Sequence, residues 1–164
     1  IHYIDLLQWM MGDVDSVEGF TATLAHDIET EDVASAAIRF RSGALGTIQG
    51  TTAAYTSRQP QIEIIGTEGG ATLTGSSLTL WEPREDRELL SPEDLERTRV
   101  PGEGEEWWLT HAVQFREIFR CLREGQIPPV SGEEARKSLE IILAIYCSQQ
   151  TGCAVGLPLA SGER

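Results

Sequence analysis

The chain of 164 residues carries 26 Asp and Glu against 13 Lys and Arg, a formal net charge of −13. Phosphate backbones and anionic headgroups reward clustered Lys and Arg, so this balance argues against a nucleic-acid or anionic-membrane partner. The length fits one domain with a sizeable core, and the acids, densest in WEPREDRELLSPEDLERTR, are interleaved with arginines as on a solvated surface.

The chain opens IHYIDLLQWMMGD, without a start methionine and inside what reads as a helix. Tyr3, Leu6, Leu7 and Met10 share one stripe at helical spacing, and Gly12 ends the run. SVEGFTATLAHD follows with strand chemistry, Phe20, Ala22 and Leu24 alternating with Gly19, Thr21 and Thr23. EDVASAAIRF and ALGTIQGTTAAY read as a hairpin turned by Ser42-Gly43. QIEIIGTEGGATLTG predicts two further strands around a glycine turn, and SSLTLWEP another, stopped by Pro83. The charged segment 83–104 reads as a loop with a short strand around Thr98–Val100.

The period then changes. From Glu105 to Glu124, Trp108, Ala112, Phe115, Phe119 and Leu122 recur every three or four residues, and Gly125 caps the end. SGEEARKSLEIILAIYCSQQTG carries a capping box, Ser131 at the N-cap and Glu134 three residues on, with Leu139, Ile142, Leu143 and Tyr146 as its expected core stripe and Gly152 as its stop. AVGLPL could add an edge strand. These elements predict an α+β fold, an open and largely antiparallel or mixed sheet with helices on one face. The other face would show Thr21, Thr23, Ser35, Ala37, Thr47, Gln49 and Thr51, small and uncharged. Such a face suits contact with another sheet in an oligomer, although an ordinary Thr-rich exposed sheet reads the same way.

Cys121, Cys147 and Cys153 are odd in number and form no C-x-x-C, so a disulfide framework is not expected and a reducing, cytoplasmic compartment is. No apolar run approaches the ~20 residues that span a bilayer. Histidines and cysteines lack the short spacings of zinc sites, so no metal is expected. GALGTIQG and GTEGGATLTG lie between strands and open no helix, so neither is a dinucleotide cradle.

His2, Asp5 and Trp9 stand at i, i+3 and i+7, on one helix face. A carboxylate beside a histidine can orient the ring, and a helix N-terminus offers N–H groups to a hydroxyl or oxyanion. On spacing alone, a polar pair at an exposed helix start explains them better. His26, next to Asp27, reads as a surface residue, and His111 could face core or cleft.

Taken in order, the motifs resemble a known family. IHYIDLLQWMMG is similar to the G-x-H-x-x-D-x-x-x-W/L-x-x-G signature of the glucose–fructose oxidoreductase / inositol dehydrogenase / rhizopine-catabolism (Gfo/Idh/MocA) oxidoreductases. TEDVASAAIRFRSGALGTIQGTTAAY resembles that family's hairpin, IEIIGTEGG its strand-turn, and HAVQFREIFRCLREGQIPPVSGEEARKSLEIILAIYCSQQTG its two closing helices. The resemblance implies an N-terminal Rossmann domain that binds NAD or NADP, upstream of Ile1. The whole of 1–164 would then be the C-terminal domain that binds a polyol substrate and oligomerises through its open sheet. It places His2 on the histidine that assists proton transfer from the substrate hydroxyl, and Asp5 on the residue that supports it or holds a hydroxyl. Tyr55 and Trp108 fall near substrate contacts, with Arg58 on the same loop as Tyr55. No cofactor-binding residue is expected in this chain, which would be inert alone. Two alternatives keep the same resemblance: a non-catalytic ligand-sensing and dimerisation domain, or an NAD-dependent glycosidase.

Overall fold

The computed structural model describes residues 1–75, 77–84 and 108–160. They are α+β, with antiparallel sheets and helices, as the patterning predicts. The expected single sheet is instead two, and the chain divides into two compact units, Ile1–Ser57 with Gly132–Arg164, and Arg58–Ser131.

The first unit begins with helix α1, His2–Met11, closed by the Gly12 N–H donating to the Gln8 carbonyl at 2.8 Å. Strands β1 (Val14–Ala22), β2 (Val33–Phe40) and β3 (Leu45–Thr51) form an antiparallel meander. The expected hairpin joins β2 to β3, and Gly43 supplies the positive φ (92°) that its turn requires. The segment AVGLPL does add an edge strand, β7 (Val155–Gly156), beside β1.

One face of this sheet is covered by the long helix α3, Gly132–Thr151 in that unit. The core between them is Val14, Val17, Ala36, Ile38, Phe40, Ile141, Ala144, Ile145 and Leu159, with Ile4, Leu7 and Met11 of α1 packed against it. A bulge between Val14 and Ser16 lets both Val14 and Val17 turn inward. Gly19 sits under the helix, where a Cβ would stand 2.8 Å from the Ala36 Cβ and 3.2 Å from the Ile145 Cγ2. Its N–H donates to the Ser148 hydroxyl at 3.0 Å, so strand and helix are bonded as well as packed.

Two expectations about faces are corrected here. Thr21 pairs with Ala34 on the helix-covered side, and its N–H donates to Gln149 Oε1 of α3. Thr23 lies beyond β1, where its hydroxyl donates to the Thr30 carbonyl. It is Phe20, 71 % exposed, that faces outward with Ser35, Ala37, Thr47, Gln49 and Thr51. Leu45, 70 % exposed, stands on that same face opposite Arg39. The physical reason is Gly19: it occupies an inward position without a side chain, so the alternation reads one residue out of step.

The stripe on α3 is also shifted. The buried residues are Ser138, Glu140, Ile141, Ala144, Ile145 and Ser148, while Leu139 is exposed. Small side chains let the helix approach the sheet closely, and a pattern scan weighted toward large apolar residues passes over them.

The second unit holds the antiparallel strands β4 (Gln61–Gly66), β5 (Gly69–Thr74) and β6 (Ser77–Pro83), and the helix α2, Trp108–Arg123. Among its described residues Ile62, Thr72 and Cys121 are buried. On α2, Phe115 and Phe119 stack with ring centroids 6.4 Å apart, and both are exposed together with Leu122. The expected strand around Thr98–Val100 lies outside the described residues.

Candidate functional site

His2 is the first residue of α1 and is exposed, and Asp5 is half-buried one turn on. The first bond of the helix runs from the Asp5 N–H to the Ile1 carbonyl at 2.9 Å, so the N–H groups of His2 through Ile4 precede the helical ladder. Ile1 makes no side-chain cap hydrogen bond to them. No hydrogen bond joins His2 to Asp5. Trp9, on the same face, is exposed.

Tyr55 is fully exposed in the segment after β3, within the first unit. Arg58 opens the second unit and is exposed, and Trp108 is the first residue of α2 in that unit. Within the first unit, His2 and Asp5 lie one turn apart on α1 through their helical spacing. His111 lies exposed on α2.

A cluster that spacing did not reveal lies at the start of β2. Asp32 is 2 % exposed, and its carboxylate accepts N–H bonds from Leu24 (2.8 Å), Ala25 (2.8 Å) and His26 (2.9 Å). His26, expected at the surface, is exposed and places its ring Nδ1 3.1 Å from Asp32 Oδ2. The Leu24 N–H, with those of Ala25 and His26, outweighs the desolvation of burial and holds the Asp32 carboxyl down at about 2. Next to it, Glu31 accepts from the Thr30 hydroxyl and, at 2.8 Å, from Tyr146 Oη. The Thr30 bond lowers the Glu31 carboxyl, and the bond to Glu31 raises the Tyr146 phenol. Tyr146 is thus a donor at neutral pH and no base.

Glu31, Asp32 and Tyr146 border a cavity of about 330 Å³ with Ile1, Ile4 and Ile145, which neither His2 nor Asp5 lines. The acidic pair of TEDVASAAIRF was the available signal, but nothing in its spacing says that a loop eight residues back would fold onto Asp32.

Asp32 carries a pH prediction. Its folded pKa lies below the ordinary carboxylate value of 3.8, so the bonds stabilise the fold above that value and are lost as pH falls toward about 2. Urea midpoints measured down that range are expected to fall, and to fall less steeply in Asp32→Asn, which starts lower and has no such proton to gain.

Among the described residues no group of His, Cys, Asp and Glu could hold a metal, and no helix is long and apolar enough to cross a membrane. The glycine runs fall in the β2–β3 turn with β3 and in the β4–β5 turn with its flanking strands, so neither presents a helix N-terminus to a dinucleotide.

Residues 1–72 match the family described as the GFO/IDH/MocA C-terminal domain. Over 169 aligned residues the chain is 28 % identical to D-apiose dehydrogenase of Paraburkholderia graminis, covering 99 % of this chain and 44 % of that protein. It is 25 % identical to scyllo-inositol 2-dehydrogenase (NAD(+)) of Bacillus subtilis, covering 96 % of this chain and 46 % of that one. The fold superposes on the WlbA dehydrogenase from Bordetella pertussis, solved with NADH and UDP-GlcNAcA, at TM-score 0.77 and 32 % identity, over 97 % of this chain and 43 % of that one. The chain spans less than half the length of the curated relatives it matches. Helix α1 and its hairpin thus lie inside the residues that match the GFO/IDH/MocA C-terminal domain, and the chain is similar over nearly all of its own length to parts of the two dehydrogenases.

Proposed function

We propose that residues 1–164 are the substrate-binding and oligomerisation half of a cytoplasmic NAD(P)-dependent oxidoreductase acting on a sugar, cyclitol or related polyol, and are inert alone. The observation that carries this is the near full-length match to two curated dehydrogenases, one of apiose and one of an inositol. NAD or NADP, held by the other half of the intact protein, supplies the redox chemistry when bound. This chain's part is proton handling and orientation.

His2 is the proposed general base for the substrate hydroxyl. It is exposed at the first residue of α1, where its ring can reach a bound polyol without burial cost. Asp5, one turn on, is proposed to hold a neighbouring hydroxyl or the protonated ring. Tyr55, Arg58 and Trp108 are proposed substrate-binding residues by resemblance, the last two on the second unit.

The test is oxidation of D-apiose and scyllo-inositol by the full-length protein with NAD⁺ or NADP⁺, followed as reduced nicotinamide. Turnover of either supports the reading. No turnover, with a nitrophenyl glycoside cleaved instead, replaces it by the glycosidase alternative. Neither reaction leaves a ligand-sensing domain.

The open sheet face is proposed as the homo-oligomer contact. Phe20 and Leu45 stand exposed on it among small polar side chains, and burying them against a second copy removes apolar area from water. Thr47→Lys is expected to shift the chain toward monomer in sedimentation at several concentrations, because a two-fold contact places the new charge against its own copy. A wild-type chain that stays monomeric throughout rejects the contact.

A further inference from the structure

We propose that a second cleft in the first unit, lined by neither His2 nor Asp5, binds a small carboxylate that also carries a hydroxyl or ammonium donor. The cleft, of about 210 Å³, is bordered by Gln8, Asp13, Arg41, Arg136, Lys137 and Glu140. The proposal is independent of the oxidoreductase reading.

Glu140 is the first observation. Glu140 borders the cleft, its side chain is 6 % exposed, and its Oε1 has no hydrogen-bond partner among the described residues. Arg136 Nη1 lies 3.4 Å from that oxygen, near enough for charge attraction, but does not donate to it. A buried carboxylate oxygen without a donor is costly, and a ligand that brings one relieves the cost.

Arg41 is the second. Lys137 is taken up by Asp13 at 3.0 Å and Glu134 at 2.9 Å, and Arg136 by Glu140. Arg41 forms no ion pair among the described residues and gives one bond, from Nη2 to the Leu157 carbonyl at 3.3 Å. Most of its five N–H donors remain for an anion, and a guanidinium suits a planar carboxylate.

The cleft therefore presents one carboxylate oxygen without a hydrogen-bond donor and one guanidinium that feels the Asp13 charge yet keeps most of its donors for a ligand. A neutral polyol would satisfy Glu140 and leave Arg41, and a plain carboxylate would do the reverse. At ~30 Å³ per water the space equals about seven waters, room for a molecule of a few carbons. Hydroxy acids and amino acids share this chemistry.

The experiment is titration calorimetry of the chain with glycolate, glycine, acetate and glycerol. Glycolate or glycine is expected to bind at least about tenfold more tightly than acetate and glycerol. Glycolate alone names a hydroxy acid, and glycine alone an amino acid. Arg41→Gln and Glu140→Gln are each expected to weaken the bound probe by about tenfold or more. Acetate binding as well as the tighter of glycolate and glycine, no binding of any probe, or a loss in only one of the two folded variants overturns the proposal. Should Glu140→Gln not fold by circular dichroism, Arg41→Gln decides alone, because that side chain lies at the surface.

Discussion

Replacing His2 by alanine in the full-length protein is expected to lower kcat for polyol oxidation by about 10²–10⁴-fold, the range for removing a general base. The substitution leaves no cavity, since His2 is exposed and outside the core, so the unfolding midpoint should stay within the small scatter of surface changes. The pH profile separates the two roles the residue could have. A base gives kcat a rising limb that the His2→Ala variant lacks; a contact that only positions substrate would raise KM and keep the limb. Asp5→Asn should act more weakly, because in the structure Asp5 makes no hydrogen bond to His2 and its proposed role needs a bound polyol. Wild-type kcat in His2→Ala would remove His2 from the chemistry and move attention to Glu31 and Tyr146.

Much of the fold was legible because its signals are local. Helix α1 was bounded by its stripe and Gly12, the β2–β3 hairpin by Ser42-Gly43, and β4 to β6 by glycine and proline punctuation. What failed was the choice of inward face in β1 and α3. Both depend on Gly19, Ser138, Ala144 and Ser148, whose small size permits close approach of strand and helix but contributes little hydrophobicity to a pattern. The number of sheets was also invisible, since strand pairing is a long-range choice that spacing alone does not encode.

The candidate site shows the same division. His2 and Asp5 could be placed on one helix face from spacing, yet spacing argued for no more than a polar helix start, and only the resemblance gave them roles. The Asp32 cluster was missed because its donors are backbone N–H groups of Leu24, Ala25 and His26, which carry no side-chain signature. Any residue in that loop could present the same amide.

Phe40→Ala is expected to destabilise the chain by about 3–5 kcal/mol, the range for emptying an aromatic site in a core. Phe40 is 2 % exposed at the end of β2, pairs across the sheet with Val14, and belongs to the cluster that includes Ile141 and Ile145 of α3. Urea unfolding with an unchanged slope would report the loss as stability. Paired substitutions on α3 test which face is inward: Ile141→Ala should cost about 2–5 kcal/mol, and Leu139→Ala, exposed on the far side, much less. Equal costs would restore the stripe of large apolar residues and refute the small-residue contact. Because Ile4, Leu7 and Met11 pack on the same cluster, loosening it also loosens the helix that carries His2. Phe40→Ala should therefore lose activity and stability together as temperature rises, whereas His2→Ala loses activity at every temperature while its stability holds.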